Sequence, residues 1–244
     1  MTSKNTVLII EPRLLIHLIN VINEYYKVLG DKWIYVFYCA KNKSSYWKDK
    51  LCNLNIEIRE LEFNNFNSPS EYSDFVKSRS LWESLYGDFV LTVQVDTWIL
   101  NLEPYNIDYF INLNKSFIGG NMFYQWPQLA RENINFPIKN FNGGLSLRKR
   151  LDMIKIIDMY PPLPTSKICR QSIQMETDAE DVYFIIGCFR LRFDFGNDEE
   201  SSNFCVHTIF KENFFGIHCL DHSVKDNINK KFPQLKLLNP SLNL

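Results

Sequence analysis

Apolar residues fall into two arrangements along this chain, and each predicts a different kind of element. Thr6-Val7-Leu8-Ile9-Ile10 is an unbroken apolar run, the pattern of a strand covered on both faces. Glu11-Pro12-Arg13 ends it. Leu15, Leu18, Ile19 and Ile22 then recur at helical spacing within residues 14–29, up to a stop at Gly30. Residues 33–38 and 56–61 predict two more strands. Ser68-Pro69-Ser70-Glu71 reads as a capping box with proline in the first helical position, opening a helix that should reach about Tyr86. Phe89-Val90-Leu91-Thr92-Val93 is the next buried strand. Strands alternating with helices in this way predict an α/β fold with a mostly parallel central sheet flanked by helices.

Beyond about residue 100 the pattern loosens. Residues 109–111 and 116–118 read as short strands near a Gly119-Gly120 turn, and 121–142, rich in Asn and aromatic residues, as a loop. Asn142-Gly143-Gly144 reads as a turn leading into a short strand over 144–147. Helices are expected near 149–159, ended by Pro161-Pro162-Leu163-Pro164, and over 180–189. The stretch Phe214-Phe215-Gly216-Ile217-His218-Cys219 is strand-like. With no repeat and no clear linker, residues 1–244 are expected to form one domain. Its first 100 residues would be the nucleotide-binding half and 101–244 the acceptor half.

Composition narrows the function. A chain of 244 residues, 45% of them hydrophobic, supports one sizeable core. The net charge of −1 implies no broad basic surface, which argues against nucleic-acid binding. Arg148-Lys149-Arg150 is the one dense basic cluster, read either as a local patch or as a solvated helix start. The six cysteines occur singly without a C-x-x-C pair, a pattern of buried thiols in a reducing compartment and not of a zinc knuckle or disulfide framework. Residues 1–5 lack the apolar stretch of a signal peptide, and no run of about 18 apolar residues occurs. A soluble cytoplasmic protein without a membrane span is therefore expected.

Four short segments carry the chemistry. Gln94-Val95-Asp96 follows a buried strand, and ligands of open α/β sheets sit off the carboxyl ends of strands. A carboxylate there can hold Mg2+ or Mn2+ against the diphosphate of a nucleotide-sugar; a turn or capping aspartate is the competing reading. His218 could join it, since Mn2+ accepts one imidazole among oxygens, although a buried core histidine has the same pattern. His207 and His222 compete for that role, and His17, within the first helical stretch, reads as structural. Glu180-Asp181 opens an apolar helix. Both acids would favour the helix dipole, but either could also take a proton from an acceptor hydroxyl, and Asp181 is the preferred base. The glycines of Asn142-Gly143-Gly144 would let backbone approach a ligand, and Arg13 could pair with phosphate or stack on a base. A G-x-S-x-G elbow and an H-E-x-x-H pair are both absent.

In order, these segments resemble a little-studied glycosyltransferase-like family of the GT-A fold, with motifs Q-x-D, N-G-G-x-S-L-R, E-D-V-x-F and G-I-H, distantly similar to inverting galactosyltransferase-type enzymes. The resemblance implies that Asp96 stands where the last acid of a D-x-D motif binds the metal, with Gln94 replacing the first acid. It implies that His218 is the late metal-binding histidine and Asp181 the catalytic base, with Glu180 beside it. Glu11-Pro12-Arg13 and Gln94-Val95-Asp96 would contact the nucleotide, and Asn142, Gly143 and Gly144 would line the donor-sugar site. The function implied is transfer of a sugar from a UDP-sugar to a hydroxyl of a glycan or glycoconjugate, assisted by Mn2+ or Mg2+ and inverting. Trp126 could stack on the acceptor. A non-catalytic nucleotide-sugar or glycan-binding module, or a nucleotidyltransferase, are the rival readings.

Overall fold

The computed structural model describes residues 4–122, 126–131, 141–168 and 171–244. Strands β1 (Asn5–Ile10), β2 (Trp33–Cys39), β3 (Ile56–Glu60) and β4 (Phe89–Val93) run parallel to one another. Helix α1 (Leu18–Leu29) links β1 to β2, α2 (Ser44–Lys50) links β2 to β3, and α3 (Pro69–Val76) with α4 (Arg79–Glu83) leads to β4. A short strand β5 (Thr97–Ile99) and helix α5 (Ile107–Asn112) follow, then β6 (Phe117–Asn121), α6 (Pro127–Arg131) and β7 (Phe141–Lys149). The chain continues through α7 (Arg150–Met159), α8 (Glu180–Arg190), α9 (Asp198–Phe204), β8 (Cys205–Val206), β9 (Gly216–His218), α10 (His222–Lys231) and α11 (Leu235–Leu238).

The main sheet has the order β3-β2-β1-β4-β7-β6, and a small sheet has the order β5-β9-β8. The unbroken apolar run of β1 is explained by its two faces. Val7 and Ile9 join one buried cluster with Tyr25 of α1 and Trp47 of α2. Leu8 and Ile10 join another with Trp82 of α4, Ile156 of α7 and Phe184 of α8. The protein is a mixed α/β domain, and the expectation of a mostly parallel sheet needs correction on one side. Strand β7 runs antiparallel to both β4 and β6. That reversal matters, because it brings the beginning of β7, not its end, to the carboxyl end of β4.

Several local expectations also change. Asn142-Gly143-Gly144 and Gly119-Gly120 are not turns but lie inside β7 and β6, with a register shift between Gly119 and Gly120. Residues 109–111 are helical, because the Asn106 side chain caps α5 by accepting from the Tyr109 N–H. The first helix starts at Leu18, not near 14. The helix expected to reach Tyr86 is two short ones. Its Ser68 cap does accept from Glu71 N–H, but the Glu71 carboxylate turns to Asn67. The interruption between them positions Lys77, whose fully buried ammonium donates to the carbonyls of Leu163, Glu176 and Asp178. Of the residues 121–142 expected to be loop, α6 and the start of β7 are regular, and 123–125 and 132–140 lie outside the described residues.

Among the described cysteines, Cys39, Cys188 and Cys205 are buried thiols as expected, but Cys52 and Cys219 are exposed; Cys169 lies outside the described residues. No helix among the described residues is long and apolar enough to cross a membrane.

Candidate active site

Where strand order doubles back, between β1 and β4, the connections leaving the two strands diverge and open a crevice. A cleft of about 800 Å³ lies there, lined by Glu11, Pro12 and Arg13 after β1 and by Gln94, Val95 and Asp96 after β4. Tyr72 of α3, His17 and Ser241 also line it. All six nucleotide-contact candidates drawn from these two strand ends are therefore in one place.

His218, more than a hundred residues away in sequence, arrives by strand pairing. It sits opposite Thr97, in antiparallel register between β9 and β5, so its ring lies against the residue preceding Thr97. Its Nε2 stands 3.3 Å from Asp96 Oδ1 and 3.2 Å from Gln94 Oε1. The Gln94 amide is oriented from its other end, where Nε2 donates to Tyr72 Oη over 3.1 Å. Burial would raise the Asp96 carboxyl, but the His218 imidazole, by charge and hydrogen bond, and the Arg13 guanidinium hold it below its ordinary value. His207 donates from Nδ1 to the His218 carbonyl at 2.9 Å and so helps hold the strand that carries His218.

Whether these groups suit a divalent cation can be judged from their spacing. Neighbouring ligands of an octahedral cation with bonds of about 2.1–2.3 Å stand roughly 3.0–3.3 Å apart. The separations of His218 Nε2 from both oxygens match that edge. Among the described residues no three His, Cys, Asp or Glu side chains gather to hold a metal. One carboxylate, one imidazole and one amide oxygen thus fit a cation only if phosphate oxygens complete its shell.

The second cluster begins at the N-terminus of α8. Glu180 is buried, and its Oε2 accepts from Arg148 Nη1 over 2.6 Å. Arg148 is fully buried as well. Its Nε donates to Ser146 Oγ, its Nη2 to the Gly143 carbonyl, and its guanidinium lies over the Phe117 ring at 4.6 Å. The reading of Arg148 as part of a solvated patch or helix start is overturned, since it is the penultimate residue of β7 and faces inward with Ser146. The signal was the alternation Ser146, Arg148 against Leu145, Leu147, which becomes visible once the strand is extended to Lys149.

Asp181, next to Glu180, is half-buried, and its Oδ1 accepts from the Val182 N–H. Burial, then the nearby Glu180 charge, push its carboxyl up to about 7, against hydrogen bonds from Val182 and Gly143 and the charge of Arg148.

Gly143 and Gly144 join the clusters. Gln94 N–H donates to the Gly144 carbonyl at 2.9 Å, and Gly144 N–H donates to Asn142 Oδ1. A Cβ on Gly144 would collide with His218 Nε2 and lie 2.5 Å from Gln94 Oε1. One on Gly143 would collide with Glu180 Oε1 and lie 3.1 Å from Asp181 Cβ. Only glycines let β7 pass between the two groups.

Other candidates land differently. Arg13 is exposed, with its guanidinium held bidentately by buried Glu11 through Nε and Nη2, so neither residue is free of the other. Trp126 is partly buried against the cluster that includes Phe184. His17 precedes α1 and borders the cleft instead of sitting within the helix. Tyr72 and Arg148 were missed by sequence reasoning; no motif marks Tyr72, which sits in the first turn of a capped helix.

Residues 55–218 match the profile of a family described as a protein of unknown function, DUF5672, which is more than half of the chain. The chain belongs to the DUF5672 family. No functionally curated protein matches this DUF5672 member in sequence. Among solved structures, the galactosyltransferase LgtC in complex with donor and acceptor sugar analogues aligns at 13% identity, covering 98% of this chain and 96% of that one, with a TM-score of 0.56. The mannosyltransferase PcManGT from Pyrobaculum calidifontis, in complex with GDP-Man and Mn2+, aligns at 10% identity and a TM-score of 0.49, covering 81% of this chain. The present chain spans 56% of that protein's length. The likeness to LgtC shows that the DUF5672 member has the mixed α/β fold of GT-A glycosyltransferases.

Proposed function

We propose that the protein transfers a sugar from a nucleotide-sugar, with a UDP-sugar as the expected donor, to an acceptor hydroxyl with inversion. The observation that carries this reading is the pair of clusters held on either side of Gly143-Gly144 at the carboxyl end of β4. Asp96 and His218, with Gln94 Oε1, would hold Mn2+ or Mg2+. When bound, the cation supplies positive charge against the departing diphosphate.

This chain's own groups do the rest. Asp181, with its carboxyl raised to about 7, is partly ionised at neutral pH and can accept a proton. As the acceptor oxygen bonds to the anomeric carbon and the bond to the diphosphate breaks, the hydroxyl proton passes to Asp181. Glu180 is instead engaged by Arg148, which also donates to the Gly143 carbonyl and so ties the start of α8 to β7. Arg13, already neutralised by Glu11, would offer its remaining N–H groups to the donor without adding net charge.

The test is UDP release from a panel of UDP-sugars with MnCl2 and simple glycan acceptors. Release that vanishes in Asp181→Asn, with UDP binding kept, supports the transferase. The neutral Gln94 favours one rival, a sugar- or nucleotide-binding module, which would bind UDP and show no turnover in the natural chain. Pyrophosphate release in place of UDP would mark a nucleotidyltransferase.

A further inference from the structure

Two segments remote in sequence wall the cleft, and they belong to opposite faces of the sheet. Phe66 and Tyr72 pack with the cluster that contains Leu8 and Ile10, whereas Leu242 packs with the one that contains Val7 and Ile9. On that second side the cleft is bordered by His17 and by Pro240, Ser241 and Asn243.

This C-terminal wall is fastened in place. Asn239 is fully buried, and its Nδ2 donates to the carbonyls of Val95 and Thr97, 2.9 Å each, on either side of Asp96. Its Oδ1 accepts from the Ser241 N–H, which starts the turn Pro240–Leu242. Leu242 is buried and pins the other end. An amide spanning two backbone carbonyls replaces the water those carbonyls would otherwise need, so the turn cannot leave without exposing them. Ser241 Oγ is left facing His17 Nε2 at 2.6 Å. Burial, with Arg13 nearby, holds His17 below its ordinary value against the pull of Glu11, so its neutral imidazole offers one donor and one acceptor.

Placement follows from the two clusters. Asp96 and His218 take the diphosphate, and Asp181 lies across β7, on the side of β4 away from β1. The sugar must point towards β7, which leaves the nucleoside over the end of β1. There the charged pair Glu11 with Arg13 is internally neutralised. The uncharged polar side chains on that wall are those of His17, Ser241 and Asn243, and the first two already face each other at 2.6 Å.

We propose that the turn Pro240–Leu242, together with His17, reads the nucleoside of the donor, Ser241 Oγ and the His17 imidazole hydrogen-bonding it and setting which nucleoside diphosphate is accepted. This rests on the nucleotide-sugar reading above. The experiment is isothermal titration of the full chain, with MnCl2, against UDP, GDP, CDP, ADP and inorganic pyrophosphate. The natural chain should prefer one nucleoside diphosphate. Ser241→Ala and His17→Gln should each weaken that ligand about tenfold, as loss of one such hydrogen bond does, and should flatten the preference. Pyrophosphate affinity should stay the same. Melting curves confirm folding, and the two variants lie on separate segments, so one remains informative if the other unfolds. Equal binding of all four nucleosides by the natural chain, or unchanged preference in a folded variant, overturns this assignment while leaving the transferase reading intact. Failure of the natural chain to bind any of the five ligands overturns both.

Discussion

Asp96 and Asp181 are both half-buried aspartates flanking the same strand end, yet their surroundings drive them in opposite directions. Asp96 faces an imidazole and, further off, a guanidinium, which outweigh burial and keep it anionic. Asp181 faces another carboxylate, and the nearby guanidinium of Arg148 spends its closest contact on Glu180. Two carboxyl groups with separated proton affinities are what a site needs if one is to hold positive charge permanently and the other to exchange a proton. The contrast also shows why Arg148 is more than a buried ion pair. It holds the Glu180 carboxyl group beside Asp181, and that neighbour helps raise Asp181.

The sharpest way to break the comparison is to remove the proton acceptor. Asp181→Asn should lower turnover by about 10²- to 10⁴-fold while leaving Mn2+-dependent binding of UDP unchanged, as read by UDP release and by titration. Equal losses of binding and turnover would place Asp181 in donor binding instead. Arg148→Met comes next. It leaves Glu180 buried without its partner, which costs about 3–5 kcal/mol in comparable cases, so denaturant melts should show a large loss of stability. Arg148→Met combined with Glu180→Gln should recover part of it.

Gly144→Ala puts a methyl against His218 Nε2 and Gln94 Oε1. The strand must shift, at about 1–3 kcal/mol, and Mn2+-dependent stabilisation should fall more than the melting temperature does. A separate reading of the comparison is the stability of Asp181→Asn against pH. Burial raises the Asp181 pKa in the fold to about 7, so the fold holds that proton more tightly than the unfolded chain. This contribution is complete below about pH 4, the unfolded value, and is lost as pH rises towards 7. The variant should therefore melt higher than the natural chain at pH 8, with the gap closing by pH 4. A variant no more stable at pH 8 would mean that Asp181 has an ordinary carboxylate pKa.

The first half of the fold was legible because β1, β2 and β4 are covered on both faces and read as continuous apolar runs, with Gly30 and Ser68 marking helix ends. The segment 141–149 was not, since glycine is read as a turn signal and its true role, clearance between His218 and Glu180, depends on neighbours remote in sequence. The same limit hid Arg148, whose burial is compensated by residues from β6 and α8. Residues 109–111 misled because their apolar character suits a strand or a short helix equally, and the cap at Asn106 decides. The strand-end acids were legible from position alone. That Asp96 meets His218 follows from the pairing of β5 with β9, which no local pattern encodes.

Lys77 has the last consequence. Its ammonium, on the link between α3 and α4, grips the three carbonyls that precede α8, including that of Asp178. The segment that leads into α8, and so to Asp181, is thus tied to a nitrogen in the other half of the chain that does not line the cleft. Replacing that side chain with methionine would fill the same volume and drop all three grips, so a slower enzyme with an intact cleft is the result to look for. Selection for sturdiness and selection for turnover would then act on one atom.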